Sequence, residues 1–334
     1  MSQTYEHITV KEHPELSVII VSYNTCELTL RAVGSVLDQE GTALEVIVVD
    51  NASSDGSVKA LTKEFPQVRL LAQTQNLGFA QACNLAAGAA RGRFFLLLNP
   101  DAYPLPGALA AILNFAIRRP DAKIWGGRAL HPNGKLNPRS CARRPTLWSV
   151  ISQSAGLASL IPHSDFFNSE AMPSWDRDEE RCVDIVIGHF FLIGRNDWFE
   201  LDGFDPSYFM YGEDVDLCLR AVDVGARPAI THKAEVVHEE GASQSHISRS
   251  AQILAARIRY SGRHLPKHHR FIAVWAIRLG VILRLLAYGA TCLFPQHRGQ
   301  HHRLRQIWEM RELWWNGYPD RVGSVVVQNT GYNF

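Results

Sequence analysis

The feature that most constrains this chain is a rhythm of predominantly apolar runs at residues 16–22, 44–49, 68–71 and 93–98. Segments with helical spacing separate them, at 27–37, 58–65 and 79–90. None of the runs alternates apolar with polar residues, so each predicts a strand covered on both faces. Strand and helix in succession predict a largely parallel sheet, and the fold class is therefore α/β. In such sheets ligands sit beyond the carboxyl ends of the strands. Ser22-Tyr23-Asn24, Asp50-Asn51 and Asn99-Pro100-Asp101 all stand at such ends.

Between 130 and 182 the rhythm fails, and Pro132-Asn133-Gly134, Pro138 and Pro145 predict irregular backbone. Order returns with apolar runs at 183–187 and 190–193, a helix at 213–224 and a strand at 234–237. A long apolar segment follows at 271–294. A chain of 334 residues, 46% hydrophobic, holds one large domain and a smaller appendage. Its six cysteines form no C-x-x-C pair, which fits a reduced, cytoplasmic protein better than a disulfide framework or a zinc site. Residues 1–15 are polar, without the apolar segment of a signal peptide.

The net charge of +1 gives no sign of a nucleic-acid partner, but it conceals an asymmetry. From Gly241 to Trp308 there is no Asp or Glu, whereas arginines recur from Arg249 to Arg305. A basic block beside an apolar run suggests an anionic surface or an anionic acceptor.

Three constellations can carry chemistry. At Asp50-Asn51-Ala52-Ser53-Ser54-Asp55-Gly56-Ser57, a carboxylate at a strand end can take hydrogen bonds from a ribose or base edge. The same residues also suit a plain turn, with Asp55 or Ser57 capping the next helix. At Asn99-Pro100-Asp101, Asp101 can give a hard cation one oxygen ligand, or simply cap a turn. Glu213, Asp214 and Asp216 open a helix, where the positive dipole end favours carboxylates. Spacing puts Glu213 and Asp216 on one face, with Asp214 pointing elsewhere. His238, after a strand, is a further candidate for phosphate or metal.

In this order the motifs resemble the family 2 glycosyltransferases of the GT-A type. The resemblance runs through Leu16-Ser-Val-Ile-Ile-Val-Ser-Tyr-Asn24, Val48-Val-Asp-Asn-Ala-Ser-Ser-Asp-Gly-Ser57 and Asn76-Leu-Gly-Phe-Ala-Gln-Ala-Cys-Asn84. It continues in Leu97-Leu-Asn-Pro-Asp101, Gly188-His-Phe-Phe-Leu-Ile-Gly194 and Gly203-Phe-Asp205. Gly212-Glu-Asp-Val-Asp-Leu-Cys-Leu-Arg220 and Val237-His-Glu-Glu-Gly-Ala-Ser243 complete it. The Asn-Pro-Asp form is most similar to the rhamnosyltransferase branch.

The resemblance implies a GT-A fold: a Rossmann-like sheet flanked by helices over residues 1–246, with a nucleotide-binding half at about 16–129 and an acceptor half at about 130–246. Residues 247–334 form a helical extension. It implies that Ser22, Asn24, Asp50, Asp55, Asn76, Gly78, Asn84 and Asn99 bind the nucleotide-sugar donor, and that Asp214 is the catalytic base. Asp101 and His238 would hold a divalent cation, Mg2+ or Mn2+. Asn99 departs from the strict Asp-x-Asp pattern. The implied reaction is inverting transfer of a sugar, L-rhamnose from dTDP-rhamnose by branch, to a glycan or polyprenyl-diphosphate-linked acceptor in cell-surface polysaccharide synthesis.

A dinucleotide-dependent oxidoreductase would need glycines after the first strand, and 22–26 has none. A sugar nucleotidyltransferase would carry a Gly-rich basic loop there. A non-catalytic nucleotide-sugar-binding scaffold rests on Asn99 alone. The apolar segment 271–294 is long enough to span a bilayer, but Arg278 and Arg284 lie near its middle. It predicts a helix in the interface of the inner face of the cytoplasmic membrane, or one packed on the catalytic domain or in a homodimer interface. His264, His268, His269, His297, His301 and His302 are expected to face solvent or headgroups.

Overall fold

The computed structural model describes residues 14–239, 246–291 and 295–319. Most of the polar N-terminal segment, the end of the last motif from Glu240 to Ser243, and Cys292 lie outside the described residues.

The strands are β1 (Leu16–Ser22), β2 (Leu44–Asp50), β3 (Arg69–Ala72), β4 (Phe94–Leu98), β5 (Ala102–Pro104), β6 (Ile124–Leu130), β7 (Cys141–Ala142), β8 (Arg181–Cys182), β9 (Ile185–Val186), β10 (Phe190–Gly194) and β11 (Ala229–His238). The helices are α1 (Cys26–Leu37), α2 (Ser57–Glu64), α3 (Phe79–Ala89), α4 (Ala108–Arg118), α5 (Leu147–Ser154), α6 (Leu157–Leu160), α7 (Arg195–Glu200), α8 (Glu213–Asp223), α9 (His246–His264), α10 (Lys267–Ala290), α11 (Pro295–Glu309) and α12 (Arg311–Trp314).

The main sheet runs β3-β2-β1-β4-β10-β6-β11-β5, with β8 paired to β11. β1 to β4 are parallel, as the unalternated runs predict, and β10 enters between β4 and β6 antiparallel to both. Both faces of the sheet are covered at β1, β2 and β4, whereas β3, expected to be covered as well, is a partly exposed edge strand because it has a neighbour on one side only. Ile19, Val21, Ile47 and Val49 pack toward α3 and α8, while Val18, Ile20, Val46 and Val48 pack toward α1 and α4. That two-sided burial is why the runs do not alternate; of the polar residues within them, Ser17 donates to Glu45 at 2.7 Å and Arg69 lies on the exposed strand β3. The stretch expected to be irregular, 130–182, does contain helices α5 and α6. Thr146 starts α5 with a reciprocal cap, its hydroxyl accepting from the Ser149 N–H at 3.0 Å.

A third core joins α5, α9, α10, α11 and α12 through Val150, Ala251, Ile258, Ile277, Val281, Ile307 and Trp314. Each such fully buried aliphatic side chain contributes about 1.5–3 kcal/mol. α10 lies against α5 so closely that a Cβ on Gly280 would stand 2.4 Å from the Ser154 carbonyl oxygen. The inner face of the apolar segment is thus packed on the protein. Its outer face, Phe271, Ile272, Trp275, Leu279, Leu283 and Leu286, is exposed.

Much of the basic charge of the extension is spent on the catalytic domain. Asp205 accepts from Arg259 at 3.1 Å and Arg263 at 2.6 Å. Asp216 meets His264 Nε2 at 2.7 Å and Arg220 Nε at 2.8 Å. His264 is therefore buried in an ion-pair cluster and does not face solvent or headgroups, contrary to expectation.

Candidate active site

The carboxyl ends of β1 and β4 and the start of α8 surround a cavity of about 350 Å³. Asn76, Gly78, Asn99, Asp101, Asp214 and His238 all line it. The sheet register explains one meeting: β11 pairs with β5 so that His238 lies opposite Ala102, next to Asp101. His238 Nε2 is consequently 3.3 Å from Asp101 Oδ1. Asn99 is drawn to the same corner, its main-chain N–H donating to the His189 carbonyl at 3.1 Å.

The sequence reading did not single out His189. Its ring stacks on His238, with centroids 4.4 Å apart and planes within 12°. Burial and the neighbouring His238 hold its imidazole well below the usual histidine range, so it is neutral. It backs the His238 ring and fixes its plane.

Asp101 and His238 bring one oxygen and one nitrogen donor to the cavity wall, and Nδ1 of His238 is buried without a hydrogen-bond partner. No group of three metal-binding side chains occurs among the described residues. Two protein donors fit a hard or borderline cation that takes its remaining ligands from substrate phosphates and water.

Asp214 is at the other side of the cavity and nine-tenths buried, 9% exposed. Oδ2 accepts from the Gly188 N–H at 2.9 Å, and Oδ1 from the Val215 N–H at 2.8 Å. Burial raises its carboxyl above the ordinary value, and these two donors oppose that rise. Glu213 also lines the cavity; Oε2 is buried and has no partner. Burial first, then the Asp214 charge, push the Glu213 carboxyl well above its usual range. Helical spacing had paired Glu213 with Asp216 and turned Asp214 away. The structure corrects this: Glu213 and Asp214 share the cavity, while Asp216 is fully buried against α9. Periodicity says which side chains share a face, not what that face meets: Asp216 is taken up by Arg220, Arg263 and His264, and the cavity reaches far enough round the helix start to include Asp214.

Gly78 is needed where it stands. Its φ is +76°, and a Cβ would meet the Phe209 carbonyl oxygen at 2.4 Å. Asn76 accepts from the Gly78 N–H at 2.9 Å and so shapes this turn.

The other sequence candidates lie outside the cavity lining. Ser22 is fully buried and shares hydroxyl hydrogen bonds with Thr25 at 3.2 Å and Thr29 at 2.9 Å. Asn24 accepts from the Ser54 N–H at 2.8 Å, tying the turns after β1 and β2 together. Asp55 accepts from the Cys26 N–H at 2.8 Å and the Ser57 N–H at 3.1 Å, the capping role the turn reading allowed. Asn84 brackets Phe204, donating to its carbonyl at 2.8 Å and accepting its N–H at 3.0 Å. Asp50 is 1% exposed; Oδ2 accepts from the Ser53 N–H, while Oδ1 is buried with no partner.

The cavity also has cationic walls that motif reasoning missed: Arg139 from the irregular stretch, and Arg249 and Arg257 from α9. The signal for Arg249 and Arg257 was the acid-free tail, which does not itself say that α9 folds back over the site; Arg139 carried no such signal. The boundary drawn at 246 therefore does not separate the extension from the site.

Residues 17–170 match the glycosyl transferase family 2 description. The chain is 29% identical over 266 residues to the N-acetylglucosaminyl-diphospho-decaprenol L-rhamnosyltransferase of Mycobacterium tuberculosis H37Rv, covering 76% of this chain and 81% of that protein. Among solved structures it is similar to the mannosyltransferase PcManGT of Pyrobaculum calidifontis in complex with GDP-Man and Mn2+, with a TM-score of 0.54 and 18% identity over 91% of this chain and 88% of that one. GalNAc-T7 with UDP, GalNAc and Mn2+ also gives a TM-score of 0.54, at 16% identity over 79% of this chain and 55% of that one. These two likenesses are of fold, which is GT-A. The scaffold alternative gains no support from any of them.

Proposed function

We propose, from the match of residues 17–170 to glycosyl transferase family 2, that the chain transfers a sugar, with inversion, from a nucleotide diphosphate to a hydroxyl of a glycan or polyprenyl-diphosphate-linked saccharide. The L-rhamnosyltransferase of Mycobacterium tuberculosis favours L-rhamnose as the sugar, and the sequence resemblance favours dTDP-rhamnose as its donor. The product would enter a cell-surface polysaccharide.

The observation that carries the reading is the placement of Asp214 and the Asp101–His238 pair on one 350 Å³ cavity. Asp214 takes the proton of the acceptor hydroxyl. The freed oxygen forms a bond to the anomeric carbon as the bond from that carbon to the diphosphate breaks on the opposite face. One displacement of this kind inverts the centre. The Gly188 and Val215 N–H groups keep Asp214 ionised before the transfer and correctly aimed. Arg139, Arg249 and Arg257 make the cavity favourable for anionic substrate groups. When bound by Asp101 and His238, Mg2+ or Mn2+ supplies charge neutralisation for the departing diphosphate. Asn76 and Gly78 shape the donor wall, and Asn99 adds an uncharged polar group. Asp50, with Oδ1 unpartnered, is the candidate for the base or ribose edge. Ser22, Asn24, Asp55 and Asn84 support the donor site through the turns they brace.

The exposed apolar face of α10 supports a peripheral seat on the inner face of the cytoplasmic membrane. Because its opposite face packs on α5 and α9, the helix lies along the protein.

A thermal-shift panel of sugar nucleotides, with and without Mn2+, tests the donor reading. A nucleotide at about 100 times its Kd adds about 2.7 kcal/mol of stability. At least one nucleotide diphosphate sugar should raise Tm, and more so with Mn2+. No shift with any of them would overturn the reading.

A further inference from the structure

A second cavity, of about 1270 Å³, lies between the stretch 138–171, which includes α5 and α6, and the C-terminal helices α9, α10 and α11. It shares Arg139, Ile187, Ile253 and Arg257 with the first, so the two meet at a common wall. Its volume exceeds the ~300–1,000 Å³ usual for a small-molecule site, and is more than an acceptor sugar alone requires. Away from the shared wall, Leu254, Ile277, Val281 and Ile307 make its lining apolar. Four arginines, Arg139, Arg257, Arg284 and Arg303, stand around it against one carboxylate, Glu170.

Two of these cationic groups, Arg257 and Arg284, are held in place. Arg257 Nη2 is buried without a hydrogen-bond partner and lies 3.5 Å from Glu170 Oε1. Arg284 Nε donates to the Gly280 carbonyl at 2.8 Å, which anchors the head of the side chain at the cavity. Burial lowers its affinity for the proton, so an anion beside it is favoured. Ile277, Val281, Arg284 and Tyr288 of α10 border the cavity, while Trp275, Leu279, Leu283 and Leu286 of the same helix are exposed. One helix thus carries an apolar outer face and one wall of a cationic, apolar cavity.

We propose that the second cavity is the acceptor-lipid subsite, taking the diphosphate and first isoprenoid units of a polyprenyl diphosphate. The diphosphate lies between Arg257 and Arg284, the isoprenoid runs along Ile277 and Val281, and the sugar passes the shared wall toward Asp214. The exposed side of α10 rests on the membrane from which the lipid enters. This rests on the reading of the chain as a transferase with a lipid-linked acceptor.

Calorimetric titration of the full chain with farnesyl diphosphate, and with inorganic pyrophosphate as the control, tests it. Ala158→Trp fills the cavity from its half-exposed α6 wall, and Arg284→Gln removes one charge; neither residue touches the donor cavity. Farnesyl diphosphate should bind more tightly than pyrophosphate. Each variant should weaken it about tenfold, the loss of one charge-assisted contact or of apolar room. The donor-induced thermal shift should be unchanged in both, which also reports that they fold. Variants that bind farnesyl diphosphate like the wild type would overturn the subsite, as would pyrophosphate binding equally well. If the wild type transfers to a lipid-linked acceptor while the variants are unaffected, the subsite fails alone. If the wild type binds no farnesyl diphosphate and glycosylates only a water-soluble oligosaccharide, the acceptor reading fails with it.

Discussion

The Asp214 carboxylate and the Gly188 main-chain N–H meet at 2.9 Å across the join between α8 and the turn that leads into β10. This bond, with a second from Val215, distinguishes two adjacent buried acids. Asp214 has donors for its charged form, whereas Glu213 Oε2 has none. When the pair holds a single proton, it sits on Glu213.

That assignment has a consequence for stability. A carboxyl raised in the folded state keeps its proton where the unfolded chain has already lost it. Above the ordinary Glu value of 4.5, the folded state therefore loses relative stability as pH rises. Glu213→Gln removes that cost. Its Tm should exceed the wild-type value at neutral pH, and the gain should shrink toward about pH 4. Differential scanning calorimetry at both pH values checks the sign; a gain that grows on acidification would contradict it.

The same burial sets the acid side of the rate profile. A general base must be ionised, and the Asp214 carboxyl is raised above its ordinary 3.8. The logarithm of kcat should begin to fall, as pH is lowered, before the ordinary aspartate range is reached. A profile flat down to that range would show that no raised carboxyl controls transfer.

Asp101 and His238 should act on the cation rather than on the fold. Asp101→Asn or His238→Ala should raise the half-saturating Mn2+ concentration for transfer by about tenfold or more, the scale of one lost charge-assisted contact. Tm without metal should be little changed. Chelation with EDTA should suppress wild-type transfer, and restored Mn2+ should return it.

Asn84 offers the opposite test. Its amide satisfies both main-chain groups of Phe204. Asn84→Ala leaves those groups without partners and should cost about 1–3 kcal/mol of stability. The KM for the donor should stay within about twofold, on the order of RT. A large KM rise at unchanged Tm would make Asn84 a direct donor contact instead.

The sheet was legible because its signal is local. Runs such as Leu16–Ser22 are buried on both faces, so composition alone marks them. The ends of β1, β2 and β4 were legible for the same reason, and Asn99 and Asp101 were found there. The Asp101–His238 contact was not, because it depends on β11 pairing with β5 across more than a hundred residues of chain. Arg257 was visible only as part of a basic tail. Which acid its neighbours would meet was set by the fold: Arg259 and Arg263 close on Asp205, and His264 on Asp216. Helix periodicity misplaced Asp214 because it does not tell which side of α8 meets the cavity and which meets α9.

The central claim is that Asp214 removes the acceptor proton during sugar transfer. Its most direct measurement is single-turnover transfer from the sugar nucleotide identified by thermal shift, with Mn2+, in the wild type and in Asp214→Asn. Loss of a general base lowers the rate by about 10²–10⁴. The variant should show that loss, with the donor-induced thermal shift retained. Full transfer by the variant, with normal donor binding, would contradict the account.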